Sequence, residues 1–89
     1  MKIKDNYILR EIAGTYMVVP CGEELARFTG MITLNETGAF LWKLLASPQT
    51  QESLVAALLA AYDVESFVAE KDVAAFLAAM REGNLLEEA

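Results

Sequence analysis

Catalysis needs nucleophiles, acids, bases or metal ligands at workable spacing, and this chain offers few of them. It has no histidine, which removes the commonest general base and the commonest metal ligand. Its one cysteine, Cys21, makes no internal disulfide, and it lacks the second thiol or histidine that a zinc set or a Cys–His pair requires. No neighbouring base or cationic helix end activates it, so it reads as an ordinary loop or semi-buried cysteine. Carboxylates remain. Glu65, Glu70, Asp72, Glu82, Glu87 and Glu88 are a candidate set for a hard cation, but their spacing is scattered. A solvated face that steers a basic partner surface is the simpler reading. There is no glycine-rich phosphate loop and no G-x-S-x-G elbow. The sequence therefore predicts a protein that binds and does not catalyse, with no cofactor.

The elements that hold these residues must fit into 89 residues. That length suits one domain, 1–89, in which folding buries roughly 60% of the unfolded surface. It excludes a barrel or a doubly wound sheet. Apolar residues make up 55% and charged residues 22%, so the chain folds and does not stay disordered. The longest apolar run, residues 54–62, is far short of the roughly twenty residues of a membrane span. Residues 1–6 have no apolar h-region and do not form a signal peptide. With a lone thiol that suits a reducing compartment, these features predict a cytoplasmic protein. The net charge of −6 is unevenly spread: residues 48–89 carry two basic and eight acidic groups. That half repels nucleic acid and anionic lipid.

Residues 7–20 read as a β-hairpin. Tyr7, Ile8, Leu9 and Ile12, then Tyr16, Met17, Val18 and Val19, flank a turn at Ala13-Gly14, and Pro20 ends the second strand. A charged loop over residues 21–28 leads past Gly30 to a third strand, Met31-Ile32-Thr33-Leu34. Asn35 caps a first helix reaching about Ala46, with Glu36 in its first turn, Phe40, Leu41, Leu44 and Leu45 in the core and Trp42 at the flank. Ser47-Pro48 breaks it. Thr50 caps a second helix, whose stripe is Leu54, Val55, Leu58 and Leu59. A third helix runs from about Ser66 to Arg81, with Val73, Phe76, Leu77 and Met80 at i, i+3, i+4, i+7, and Gly83-Asn84 stops it. Leu85-Leu86 then forms a short tail that can pair back. Three short strands cannot bury both faces, so helices must cover one. The result is a small α+β domain, three N-terminal β-strands followed by three α-helices, laid out like a winged helix-turn-helix.

Glu11–Pro20 in the hairpin, the run from Gly30 through Leu34-Asn35-Glu36-Thr37-Gly38 to Leu41-Trp42, Pro48-Gln49-Thr50, Tyr62-Asp63-Val64, Asp72–Leu77 and Gly83-Asn84-Leu85-Leu86 form a set of segments. Together they resemble the PqqD family, named after pyrroloquinoline quinone (coenzyme PQQ) biosynthesis. The resemblance covers nearly the whole chain, and Leu-Asn-Glu-Thr-Gly…Leu-Trp is its most specific part. It implies a RiPP recognition element: a module that holds the leader segment of a ribosomally made precursor peptide. Such a module presents the leader to a modifying enzyme, often a radical SAM enzyme. The leader would add as a strand beside the third strand, in a groove walled by the third helix.

A strand edge offers unpaired N–H and C=O groups for β-augmentation, and side-chain pockets choose the peptide. Ile32 and Leu34 share one face of the third strand, Met31 and Thr33 the other. Val68, Asp72, Ala75 and Ala79 form a second stripe on the third helix, where alanines leave a shallow channel. Leucine or isoleucine side chains of a leader would sit over Ala75 and Ala79, with Phe76 in the same wall and Lys71 and Asp72 at the rim. The plainer alternative is that the alanines simply let the helix approach its neighbours. Two other functions compete. A DNA-binding winged helix would read bases with residues 66–81, but there Lys71 and Arg81 face Glu70 and Asp72, too few cations for phosphates. An adaptor for a folded partner would use the same edge and helix, and such an edge also permits a homodimer.

Overall fold

A computed structural model of the protein describes residues 1–21 and 32–88. Met31 and most of the expected loop, residues 22–30, lie outside the described residues. The elements are β1 (Lys2–Ile3), β2 (Tyr7–Ile12), β3 (Thr15–Pro20), β4 (Ile32–Leu34), α1 (Glu36–Leu44), α2 (Gln51–Ala61), α3 (Ser66–Glu82) and β5 (Leu86–Glu87). The expected order of three strands then three helices holds, as a small α+β fold. The two-residue strands at either end add a second sheet, in which β1 pairs antiparallel with β5.

The hairpin turns where a two-residue loop must. Ile12 pairs with Thr15, and the intervening Ala13 and Gly14 both have positive φ, 51° and 80°. Two left-handed residues match the right-handed twist of the flanking strands. Glycine adopts this freely, while alanine does so at a cost. β3 then pairs with β4, so the sheet order is β2-β3-β4 and β4 is an edge.

Asn35 caps α1 by accepting the Gly38 N–H at 2.8 Å. Thr50 and Ser53 cap α2 reciprocally, at 2.9 and 3.0 Å. α3 ends in a Schellman motif, with the Leu85 N–H on the Met80 carbonyl (2.9 Å) and the Asn84 N–H on that of Arg81 (3.0 Å). Asn84 takes the left-handed conformation (φ 60°), and Gly83 does not. This turn reverses the chain and seats Leu85 in the core. The Leu85 carbonyl then accepts the Lys4 N–H at 2.9 Å, which starts the pairing of β5 with β1.

The core gathers Val18 of the sheet with Leu41, Leu45, Leu54, Leu58, Val73, Leu77, Met80 and Leu85. All four residues of the expected α3 stripe are buried. In α1 the buried face is rotated from the expected one. Leu41, Trp42 and Leu45 are buried, whereas Phe40 and Leu44 are half-buried at its margin. Gly38 packs against β4 and fixes that rotation, and Phe40 instead meets Tyr62 edge-on, centroids 5.4 Å apart. α1 also stops at Leu44, short of Ala46. The Leu45 N–H is shared between the carbonyls of Leu41 and Trp42, and a tight turn leads to Pro48. On α2, Leu54 and Leu58 are buried while Val55 is half-buried and Leu59 is exposed.

Candidate functional site

The ladder pattern fixes which backbone groups β4 offers. In a two-residue hairpin the closing pair, here Ile12 and Thr15, exchanges hydrogen bonds, and such pairs recur every second residue. The Cys21 N–H on the Asn6 carbonyl (2.8 Å) is in phase with that count. Thr15, Met17 and Val19 therefore direct their backbone polar groups at β2, and Tyr16 and Val18 direct theirs at β4. Tyr16 is opposite Leu34 and Val18 opposite Ile32. Alternation leaves the N–H and C=O of Thr33 facing the open edge, where among the described residues no strand pairs with β4. That edge is ready to accept an added strand.

Beside it runs a groove of about 310 Å³ between β4, the start of α1 and α3. Leu41, Phe76 and Met80 form its floor and are buried. Ala75 and Ala79, one helical turn apart and both exposed, line its α3 wall. Among the described residues Asp72 is its one charged lining residue. Gly38 lets α1 close the end of the groove against β4. A Cβ there would lie 3.0 Å from Asn35 Oδ1 and 3.3 Å from Leu34 Cβ. Asn35 Oδ1 accepts from both the Gly38 N–H and the Thr37 hydroxyl, so that oxygen is already engaged within the protein. Among the described residues the chemistry available is an apolar trough, a backbone edge and one carboxylate, which is binding chemistry.

Of the residues expected at the site, the structure brings Ile32, Thr33, Leu34, Asp72, Ala75, Phe76 and Ala79 to this groove. Met31 lies outside the described residues. Val68 and Lys71 are on α3 but do not line the groove; Val68 is half-buried and Lys71 exposed. The contribution of α1, through Thr37, Gly38 and Leu41, was missed. The signal for it was the glycine placed three residues after the cap. Trp42 is buried on a different face of α1 and does not line the groove. Cys21 is half-buried just past the end of β3. Among the described residues no group of three or more carboxylates or thiols converges as a metal site. No described helix is long and apolar enough to cross a membrane.

The family model of coenzyme PQQ synthesis protein D (PqqD) matches residues 25–86, a span that takes in β4, all three helices and hence the whole groove. The chain belongs to the PqqD family. Two solved structures share the fold. TbiB1, in complex with the TbiA(beta) leader peptide, superposes with a TM-score of 0.77 at 29% identity, over 100% of this chain and 98% of that one. Lasso peptide synthetase B1, complexed with the leader peptide, gives a TM-score of 0.72 at 18% identity, over 98% of this chain and 96% of that one. No curated protein gives a significant sequence match.

Proposed function

We propose that this protein is a non-catalytic recognition domain that binds the leader segment of a ribosomally made precursor peptide. The leader would pair as an added strand on β4, and the protein would present it to a modifying enzyme, a radical SAM enzyme being one such partner. The observation that carries this reading is the open β4 edge lying beside the alanine-walled groove. A 29%-identical structural relative with a leader peptide bound supports it.

The division of labour follows from the chemistry. Backbone bonds at Thr33 contribute about 0.5–1.5 kcal/mol each and make no demand on peptide sequence. An aliphatic side chain laid over Ala75 and Ala79 contributes about 1.5–3 kcal/mol and selects the peptide. Asp72 at the margin favours a basic residue beside that anchor and acts mainly on the association rate. The absence of histidine and of a cysteine pair supports a role without catalysis, in a reducing, cytoplasmic setting.

The test is an NMR titration of the labelled protein with leader peptides encoded beside its own gene. Shifts should cluster on residues 32–34 and 72–80. A folded protein whose spectrum none of these leaders moves would sink the proposal and favour an adaptor for a folded partner.

A further inference from the structure

A second cleft, about 440 Å³, lies between β1, the start of β2 and the last turns of α1. Among the described residues it shares no lining residue with the groove beside β4. Its floor is apolar, from Ile3, Tyr7, Leu9 and Trp42, of which Trp42 is only 6% exposed. Its rim is cationic, from Lys2, Lys4 and Lys43. The chain as a whole carries −6, and six of its seven cations fall in the described residues. Half of those six stand around this one cleft. Among the described residues the one carboxylate lining the cleft is Asp5, 3.5 Å from the Lys2 ammonium. Lys43 also lies over the Tyr16 ring, 5.8 Å from its centroid, so its charge is held at the α1 side of the sheet.

We propose that this cleft docks an acidic segment of a partner protein, an apolar anchor residue flanked by carboxylates. The anchor would rest on Leu9 and Trp42 while the carboxylates meet Lys2, Lys4 and Lys43. Charge complementarity selects this occupant. An inorganic anion would leave the aromatic and aliphatic floor unused. A second copy of this acidic chain would have to bring its net charge of −6 against another −6. Because the two clefts have separate linings, a peptide in the β4 groove and a partner segment here can be held together, as recruitment requires.

Trp42 is the only tryptophan in the chain, so its fluorescence reports occupancy of this cleft directly. The probe is a synthetic peptide with a Leu-Phe centre flanked by Asp and Glu, tested beside an Asn/Gln analogue, a Lys-flanked analogue and inorganic phosphate. The acidic probe should change Trp42 emission and shift the amides of residues 2–9 and 42–46, leaving residues 32–34 and 75–79 unmoved. Lys4→Glu with Lys43→Glu should weaken it about tenfold, from two lost attractions and two new repulsions. The Lys-flanked analogue should then bind that double variant better than it binds the parent, which shows the variant to be folded and the effect to be charge. Equal binding of the Asn/Gln analogue, an equal response to phosphate, or no response to the acidic probe each overturns the proposal. Leader binding at the β4 groove is read from different amides in the same spectra, so either proposal can fail alone.

Discussion

Ala79→Leu separates binding from folding most cleanly. Ala79 is exposed on α3 and lines the β4 groove. Helical side chains lean toward the helix N-terminus, so a leucine placed there would lie over the turn that carries Ala75 and Phe76, in the middle of the trough. It would take the space an anchor side chain of the leader needs. Losing one buried aliphatic anchor removes about 1.5–3 kcal/mol. At 1.4 kcal/mol per decade, Kd should rise roughly tenfold to a hundredfold. The fold has no reason to suffer, because alanine and leucine differ in helix propensity by only about 0.2 kcal/mol. That corresponds to a change in Tm of about 1–2 °C in a domain of this size. Ala78→Leu is the control: the same change on the same helix, exposed but outside the groove. Fluorescence anisotropy with a labelled leader measures affinity, and thermal unfolding by circular dichroism measures the fold. Equal leader affinity in the two variants would refute the placement of the anchor.

Three further outcomes follow from local geometry. Ala13→Asn should stabilise the protein by about 1 kcal/mol, because the left-handed conformation at φ 51° is strained for alanine and tolerated by asparagine; urea unfolding checks it. Gly38→Ala should destabilise by roughly 1 kcal/mol despite alanine's better helix propensity. Its Cβ would press on Asn35 Oδ1, pinned by two hydrogen bonds, and on Leu34, so the cap must give way; a lower Tm is the expected reading. Burial, with the charge of Glu36 and a hydrogen bond to it, holds the Tyr62 phenol above its usual value near 10. The folded state thus keeps a proton that the unfolded state has lost, and stability should fall as pH rises from about 10 through the higher folded value. Tyr62→Phe should flatten that slope in urea midpoints measured across the window.

What could be read from the sequence, and what could not, divides along physical lines. Local signals survived: a cap such as Asn35 or Thr50 acts within one turn, the Ala13-Gly14 turn within two residues, and the α3 stripe repeats often enough to fix its face. The rotation of α1 did not survive, because it is set by a tertiary contact. Gly38 against Leu34 decides that Leu41 and Trp42 face inward and leaves Phe40 at the margin. The second sheet was half legible. Leu85-Leu86 marks an apolar tail, but its partner Lys2–Ile3 is too short and too charged to announce a strand. The groove was legible where it depends on period, through Asp72, Ala75 and Ala79. On α1 its one sequence sign was Gly38, three residues after the cap, because what Thr37, Gly38 and Leu41 line is set by packing against α3, far along the chain. The basic cleft was hidden for the same reason, since Lys43 joins Lys2 and Lys4 only once α1 packs against β1.

The groove and the core draw on different residues, and this determines how a peptide would bind. Leu41, Phe76 and Met80 are 1%, 8% and 0% exposed with the groove empty, so an occupant would bury little more of the floor. The gain would come from the peptide's own anchors and from the edge of β4. A site built this way is preformed: it leaves little protein surface to reorganise and little conformational entropy to lose on the protein's side. It also tolerates variation in the peptide, because backbone pairing at Thr33 is blind to side chains and the trough asks only for an apolar residue of fitting volume. The ordering cost then falls on the peptide, which must become a strand, at about 1–2 kcal/mol of backbone entropy per residue fixed. Fixing a residue in the leader that is already extended, such as one preceding proline, should therefore strengthen binding without any new contact to this protein.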